Sequence, residues 1–325
     1  MKTTVAVIYG GRSGEHEVSI RSAKSIRAGL DRDRYDVVDY FIDEAGKWSP
    51  EPILPEPGVH PEIDVVFPVL HGTFGEDGTM QGLLELADLA YVGAGVLASA
   101  VSMDKEMMKR ICIERGLPVV EYVVRSRHEL DPGPIVKGFP FPLFVKPANM
   151  GSSLGISKVH DAAELEPALR LAAEFDRKII VERGIEGREL ECAVLGNDQP
   201  VASLPCEILP SKEFYDYEDK YLLDQAQFHL PADLSAEQTA ELRRLAVECY
   251  RAVGCEGMAR VDFLLESATG KLYLNEINTI PGFTSISMYP KMWEQSGISF
   301  SALLDRLIEL ALERHAAKRA TRFTR

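Results

Sequence analysis

Apolar residues near the N-terminus alternate between short continuous runs and helical spacing. The runs at residues 5–9, 37–42 and 64–70 are typical of buried strands, and residues 16–30 have the pattern of an amphipathic helix. A proline-rich stretch, residues 50–61, can form neither a helix nor a central strand. Strands that alternate with helices predict an α/β N-terminal domain with a doubly wound parallel sheet.

The rest of the chain predicts two more regions of α+β character. The predicted strands are 119–124, 142–147, 155–159, 178–184, 189–195, 201–209, 258–265 and 271–277, and the predicted helices are 79–89, 103–115, 162–175, 235–253 and 300–317. A chain of 325 residues is too long for one growing core. We therefore expect three domains, at residues 1–93, 94–184 and 185–325.

Composition narrows the class of protein. The formal net charge is −14 and 46% of residues are apolar, which favours a soluble globular protein and argues against nucleic-acid binding. The five cysteines lie far apart in the sequence without a CxxC pair, so neither zinc nor disulfides are indicated. The N-terminus lacks a signal-peptide pattern and no stretch has the length of a membrane span, so we expect a cytoplasmic protein without membrane contact.

Two glycine-containing segments are candidate nucleotide sites. The string from Gly93 to Ala98 matches the dinucleotide fingerprint by spacing, but its βαβ context is missing, so a simple turn is the better interpretation. Lys146 ends a predicted strand and is followed by the small-residue loop 150–155. Such a loop can direct its N–H groups at phosphates beside the lysine. The alternative is a flexible hairpin with a solvated lysine.

Two predicted strands carry a carboxylate-rich pattern. Alternation places Arg260 with Asp262 on one face, and Glu276 with Asn278 on one face. If the connecting loop is odd in length and centred on Thr269, Asp262 lies opposite Glu276. Oxygen ligands of this kind suit magnesium better than zinc or copper. The alternative is a solvent-facing polar hairpin.

Three further acid or histidine positions have both structural and functional interpretations. Glu182 and Glu189 flank the turn 184–187, where they could also be ordinary surface acids. His71 begins a glycine-rich segment after an apolar strand, at the edge where parallel sheets bind ligands. A lone histidine is more often structural, but the glycines indicate close backbone approach.

With these motifs in hand, the sequence resembles the D-alanine–D-alanine ligases of the ATP-grasp superfamily from about residue 5 to 310. The stretches that carry the resemblance are 10–19, 71–82, 103–105, 145–147, 151–153 and 275–289. The resemblance implies a three-domain ATP-grasp fold and ligation of two D-alanine molecules for peptidoglycan synthesis. An acyl phosphate is the implied intermediate, and ADP and phosphate are released.

The resemblance also implies the nucleotide and metal sites. By it, ATP is bound by residues of the central lobe and its neighbours: Lys105, Lys146, Ser153, Glu182 and Glu189. Two Mg²⁺ ions, which Mn²⁺ may replace, would be held by Asp262, Glu276 and Asn278.

The implied substrate site has two ends. Glu15 would meet the ammonium of the first D-alanine, linked to Ser152 and Tyr221, with His71 beside the same substrate. The carboxylate of the second D-alanine would meet Ser287, the backbone of Met288 and Lys220. Arg260 and the N–H of Gly282 would stabilise the tetrahedral oxyanion.

Residues 213–221 resemble the closing loop of the family, and Tyr221 within it favours an amine acceptor over D-lactate. A homodimer is also implied. Two alternatives stay open: a ligase that uses D-lactate or D-serine as second substrate, and a catalytically silent nucleotide-binding protein.

Overall fold

The computed structural model describes residues 2–209 and 227–323. Its N-terminal sheet has the order β3-β2-β1-β4, in which β2, β1 and β4 are parallel and β3 is an antiparallel edge strand. The strands are β1 (Thr3–Gly10), β2 (Tyr35–Ile42), β3 (Trp48–Ser49) and β4 (Val65–Val69), and the first helices are α1 (His16–Gly29) and α2 (Thr79–Leu86). The predicted parallel sheet is therefore present.

Alternation along β1 divides the core on the two sides of this sheet. Val5 and Val7 pack in one cluster with residues of α1, while Ala6 and Ile8 pack in another with Leu84 of α2. The first cluster also contains residues of the C-terminal helix, including Leu304. Helix α1 and the C-terminal helix, which are far apart in the sequence, thus cover the same face of this sheet.

The central region is a small antiparallel sheet, β5-β8-β6-β7, covered by helices on one side. Its elements are β5 (Tyr122–Ser126), α5 (Gly133–Gly138), β6 (Leu143–Pro147), β7 (Ser157–Val159), α6 (Ala162–Phe175) and β8 (Lys178–Arg183). Two helices precede it, α3 (Val96–Met103) and α4 (Lys105–Glu114). Asp104 caps α4 by accepting the N–H groups of Glu106 and Met107, both at 3.1 Å, which begins the helix immediately before Lys105.

The third region is built on the antiparallel sheet β12-β11-β9-β13-β14, with β10 paired to β9. Its elements are β9 (Gly187–Leu195), β10 (Val201–Ala202), β11 (Cys206–Leu209), β12 (Gln227–His229), α7 (Ala236–Ala252), β13 (Met258–Glu266), β14 (Leu272–Asn278), α8 (Met288–Gln295) and α9 (Phe300–Arg319). None of the helices in the described part of the chain is long and apolar enough to cross a membrane.

The structure differs from the sequence-based elements in a few places. The expected strand 201–209 is two short strands, and α3, α5 and α8 were not predicted. Gly93 has a φ of +94°, as expected for a turn, and its carbonyl accepts a hydrogen bond from Arg314. The Gly93 segment is therefore packed as a turn before α3, in agreement with that interpretation. The domain boundaries stay a prediction.

Candidate active site

Glu15 lies immediately before α1 and is enclosed by two glycine-containing loops. Ser152 donates a hydrogen bond to its Oε1. A Cβ on Gly72 would lie 2.5 Å from Glu15 Oε2, and a Cβ on Gly151 would lie 3.3 Å from it. Both loops can approach the carboxylate because these positions lack side chains. The structure thus brings together Glu15 and Ser152, which are 137 residues apart in sequence.

His71 is buried and held at both ring nitrogens. Nδ1 lies 2.9 Å from the carbonyl oxygen of Ile280, and Nε2 lies 3.1 Å from Ser22 Oγ. Burial lowers the pKa of His71, which favours the neutral ring. Ser22 Oγ also accepts the Phe283 N–H at 3.2 Å. The histidine therefore connects the N-terminal sheet to the loop that carries Gly282.

Glu76 belongs to the same glycine-rich segment but was given no role from the sequence. Its carboxylate accepts the N–H of Gly72 at 2.6 Å and the N–H of Ile280 at 3.0 Å. Burial, followed by the nearby charge of Glu15, raises the pKa of Glu76 to about 8. The position within a glycine-dense motif was the available signal, and it did not specify which acid would face the site.

The expected carboxylate pair is present on β13 and β14. Asp262 lies opposite Glu276 and Arg260 opposite Asn278. Asp262 is only 9% exposed, so the solvent-facing hairpin is wrong. A register shift follows Asp262, so that Phe263 pairs with Leu274. Between this bulge and the turn, the paired residues are therefore not centred on Thr269. The extra residue of the bulge shifts the register by one, so that Asp262 lies opposite Glu276 as predicted.

Cations offset these opposed carboxylates. Arg260 donates to both oxygens of Asp262, Nε to Oδ1 and Nη2 to Oδ2, at 2.7 Å each. It also lies 3.1 Å from Glu191 Oε1. Lys105 Nζ lies 3.4 Å from Glu276 Oε2. Burial lowers the pKa of Arg260, but Asp262 and Glu191 outweigh it and raise the pKa well above its ordinary value. Arg260 is therefore a fixed positive charge beside the carboxylate pair.

Lys146 and Glu182 form a buried ion pair on neighbouring strands of the small sheet. Lys146 Nζ lies 2.7 Å from Glu182 Oε2 and donates to Asn275 Oδ1 at 3.3 Å. Lys146 is 8% exposed, so the alternative of a solvated lysine is wrong. Burial raises the pKa of Glu182, but Lys109 and Lys146 more than offset this and lower it to about 2. Neither Lys109 nor Asn275 was identified from the sequence.

The loop after Lys146 adopts an unusual backbone conformation. Ser152 and Ser153 have φ values of +52° and +60°, and Gly155 has a φ of +71°. Left-handed conformations are uncommon for residues with a Cβ and tend to occur where a ligand is bound. Lys105 Nζ donates to the Met150 carbonyl oxygen at 2.8 Å and thereby ties α4 to this loop.

The opposite end of the site is the loop that leads into α8. Ser287 precedes Met288, the first residue of α8, and does not cap the helix with its side chain. Its Oγ instead accepts the Thr284 N–H at 3.0 Å. A Cβ on Gly282 would lie 2.6 Å from Ser287 Oγ, so glycine is required for this packing. A helix N-terminus of this kind attracts carboxylates.

Two cavities meet at these residues. The smaller, of 140 Å³, is lined by the expected substrate and oxyanion residues: Glu15, His71, Ser152, Arg260, Glu276, Asn278, Gly282, Ser287 and Met288. The larger, of 390 Å³, is lined by the expected nucleotide residues: Lys105, Lys146, Ser152, Ser153, Glu182, Glu189 and Glu276. Ser152 and Glu276 line both cavities, so a small ligand and a long polar ligand can meet there.

Two family models match this chain. Models described as D-ala D-ala ligase C-terminus and D-ala D-ala ligase N-terminus match residues 111–309 and residues 4–57 and 54–94. The chain belongs to the D-alanine–D-alanine ligase family. A D-alanine–D-alanine ligase of Solibacter usitatus is 73% identical over 325 residues, 100% of both chains. One from a Thermoanaerobacter species is 51% identical, with 98% of each chain covered.

Two solved structures of D-alanine ligases are also similar. The D-alanine–D-alanine ligase of Coxiella burnetii is 39% identical with a TM-score of 0.86, covering 98% of this chain and 96% of that one. The VanG D-Ala:D-Ser ligase of Enterococcus faecalis is 37% identical with a TM-score of 0.88, covering 96% and 100%. The predicted family, ATP-grasp fold and ligase class are thus confirmed. Lys220, Tyr221 and the closing loop lie outside the described residues.

Proposed function

We propose that this member of the family joins two D-alanine molecules with ATP to give D-alanyl-D-alanine for peptidoglycan synthesis. The observation that carries the proposal is the junction of the two cavities at Ser152 and Glu276. A ligase of this type must bring an amino-acid carboxylate against the terminal phosphate of ATP. The 140 Å³ cavity suits small amino acids, and the adjoining cleft offers lysines to a polyphosphate.

In the first step, a carboxylate oxygen of one D-alanine attacks the γ-phosphorus, and the bond from that phosphorus to ADP breaks. Glu15 binds the ammonium of this substrate, and the hydrogen bond that Ser152 donates to Glu15 holds the Glu15 carboxylate in place. Tyr221 completes this group by family resemblance. Lys105 and Lys146 both line the cleft and offset the charge of the phosphates.

In the second step, the amine of the second D-alanine attacks the acyl carbon and loses a proton. The C–O bond to the phosphate then breaks, and phosphate leaves with the electron pair. Arg260 and the Gly282 N–H stabilise the oxyanion of the tetrahedral intermediate. Ser287, the Met288 N–H at the start of α8 and Lys220 bind the second carboxylate. His71 stays neutral and holds the loop against the first substrate.

A divalent metal fits the residues present. Asp262, Glu276 and Asn278 provide two carboxylates and an amide from one hairpin, and magnesium prefers such hard oxygen ligands with phosphate and water completing its shell. We propose two Mg²⁺ ions held by these three residues, with Mn²⁺ as a substitute. When bound, they supply charge compensation for the transferred phosphoryl group.

A homodimer, testable by light scattering at micromolar concentration, and a cytoplasmic location complete the proposal.

ADP release tests the proposal directly. The purified protein is mixed with ATP, Mg²⁺ and D-alanine, and in parallel with L-alanine, D-lactate or no acceptor, with mass detection of the product. D-Alanyl-D-alanine formed only with D-alanine is the expected result. Added D-serine in competition addresses the second acceptor, because one structural neighbour is a D-Ala:D-Ser ligase. ATP binding without turnover on any substrate would instead favour the alternative of a catalytically silent nucleotide-binding protein.

A further inference from the structure

Lys109 is a buried lysine beside the nucleotide cleft to which the reaction outlined above gives no role. It is fully buried, and its Nζ lies 2.9 Å from Glu182 Oε1. The other carboxylate oxygen, Oε2, lies 2.7 Å from Lys146 Nζ. Glu182 therefore stands between two lysines. We refer to Lys109, Glu182 and Lys146 as the buried charge cluster.

Helix α4 carries two lysines on the same face of the helix. Lys105 and Lys109 are four residues apart, which is about one turn or 6 Å along the axis. Lys105 Nζ lies near Glu276, and Lys109 Nζ lies near Glu182. The Asp104 cap and the hydrogen bond from the Lys105 N–H to the Ala148 carbonyl oxygen, at 3.0 Å, anchor the start of this helix. The contacts with Glu276 and Glu182 hold the two ammonium groups.

Lys146 has more negative neighbours than one charge can offset. Glu182, Glu276 and Glu189 all act on it electrostatically. Lys105 offsets Glu276, but without Lys109 the charge of Lys146 would be neutralised by Glu182 alone. With Lys109, the buried charge cluster contains two cations and one carboxylate and so carries a formal charge of +1.

We propose that Lys109 is a positioning residue that offsets Glu182, so that the charge of Lys146 remains available to the phosphates of the nucleotide. Lys109 lies behind Glu182 and acts through it. The inference rests on the proposed use of ATP in this cleft. It differs from a purely structural role, in which Lys109 would only satisfy a buried carboxylate and would affect all ligands of the cleft alike.

The affinity ratio between ADP and adenosine tests this charge balance. Dissociation constants of Mg²⁺·ADP and adenosine are measured by calorimetry at fixed ionic strength. The dissociation constant of adenosine divided by that of Mg²⁺·ADP isolates the contribution of the phosphates to affinity. The cluster has a formal charge of +1 in the parent, 0 in K109M, +2 in E182Q and +1 in the double variant K109M/E182Q. Methionine keeps the length of the lysine stem without its charge.

We expect the ratio to follow the charge. K109M should lower it roughly tenfold, as the loss of one unit charge near the phosphates implies at protein-like dielectric constants. E182Q should not fall below the parent, and the double variant should return to within about threefold of the parent. The exposed Lys137→Met on α5 is the matched control and should leave the ratio unchanged.

Two results would overturn the inference: a folded K109M with a ratio within twofold of the parent, or a double variant as low as K109M. If K109M does not fold, the double variant is compared with E182Q, and equal ratios in these two also overturn it. A parent protein that binds neither ligand would overturn the proposed function as well. Parent binding with a ratio insensitive to Lys109 would overturn the inference alone.

Discussion

Each half of the active site holds a carboxylate, and the electrostatic surroundings of the two carboxylates are opposite. In the substrate cavity, burial and the charge of Glu15 raise the pKa of Glu76 to about 8. In the nucleotide cleft, Glu182 is almost fully buried, but the flanking lysines Lys109 and Lys146 lower its pKa to about 2. A glutamate thus titrates near neutral pH in one half of the site and is ionised at neutral pH in the other.

The difference follows from what each half binds. Among the described residues that line the substrate cavity are the carboxylates of Glu15, Glu76, Glu191 and Glu276, against the guanidinium groups of Arg21 and Arg260. The incoming ammonium of D-alanine supplies a missing positive charge there. The nucleotide cleft is instead lined by five lysine or arginine and five glutamate side chains among the described residues. A polyphosphate therefore needs further cations, which is a physical reason for metal dependence.

The largest effect is expected at Glu276, which lines both cavities. Glu276→Gln removes one charge of the carboxylate pair and weakens metal binding between the two halves. We expect turnover at saturating Mg²⁺ to fall by on the order of 10²–10³-fold, with the thermal unfolding midpoint nearly unchanged. Steady-state ADP release measures this. Glu248→Gln on α7, whose side chain is 42% exposed, is the control. Near-normal turnover of E276Q would contradict the two-carboxylate site.

Glu15→Gln should affect the substrate half alone. The amide keeps an oxygen for the Ser152 hydrogen bond but loses the charge that meets the ammonium. We expect kcat/KM for D-alanine to fall by about 100-fold, as for loss of a charge-assisted contact in a closed site, while the dissociation constant of ADP stays within about twofold. Kinetics at varied D-alanine and calorimetry with ADP separate the two. An equal loss of ADP affinity would show that the halves are not independent.

Local pattern was sufficient for much of this site. Alternation in β13 and β14, with a connecting loop centred on Thr269, predicted that Asp262 lies opposite Glu276, and the structure confirms this pairing. The bulge after Asp262 was not predicted; it changes the register near the turn and directs Asn275 toward Lys146. A single-residue bulge has no distinct sequence signal here, so its consequence could not be predicted.

Long-range packing accounts for what the sequence did not reveal. The spacing of Lys105 and Lys109 is equally typical of a solvated helix face, and it is the tertiary packing of α4 that buries Lys109 fully beside Glu182. The C-terminal helix likewise shares a core with β1, and Gly29 allows Phe300 to approach closely. Such contacts depend on the arrangement of elements, which periodicity does not specify.

The smallest expected effect is a pH dependence of stability caused by Glu76. Its pKa is raised in the folded state from an ordinary value of 4.5 to about 8, so the folded protein binds the proton more tightly than the unfolded chain between these values. The contribution of Glu76 is therefore complete below about pH 4.5 and is lost as the pH rises through about 8. Since Glu76 is partly exposed, we expect a change on the order of 2 kcal/mol.

Urea unfolding of the parent and of Glu76→Gln at pH 5, 6.5 and 8 measures this change. The amide cannot accept both the Gly72 and Ile280 N–H groups, so the variant loses one hydrogen bond, but that loss does not change with pH. The readout is therefore the slope: the stability of the parent relative to the variant should decline toward pH 8. Glu56→Gln, at an exposed position, should show no such slope. A parent that gains stability over E76Q as pH rises would mean that Glu76 is ionised and favourably paired, like Glu182, and the contrast between the two halves would be wrong.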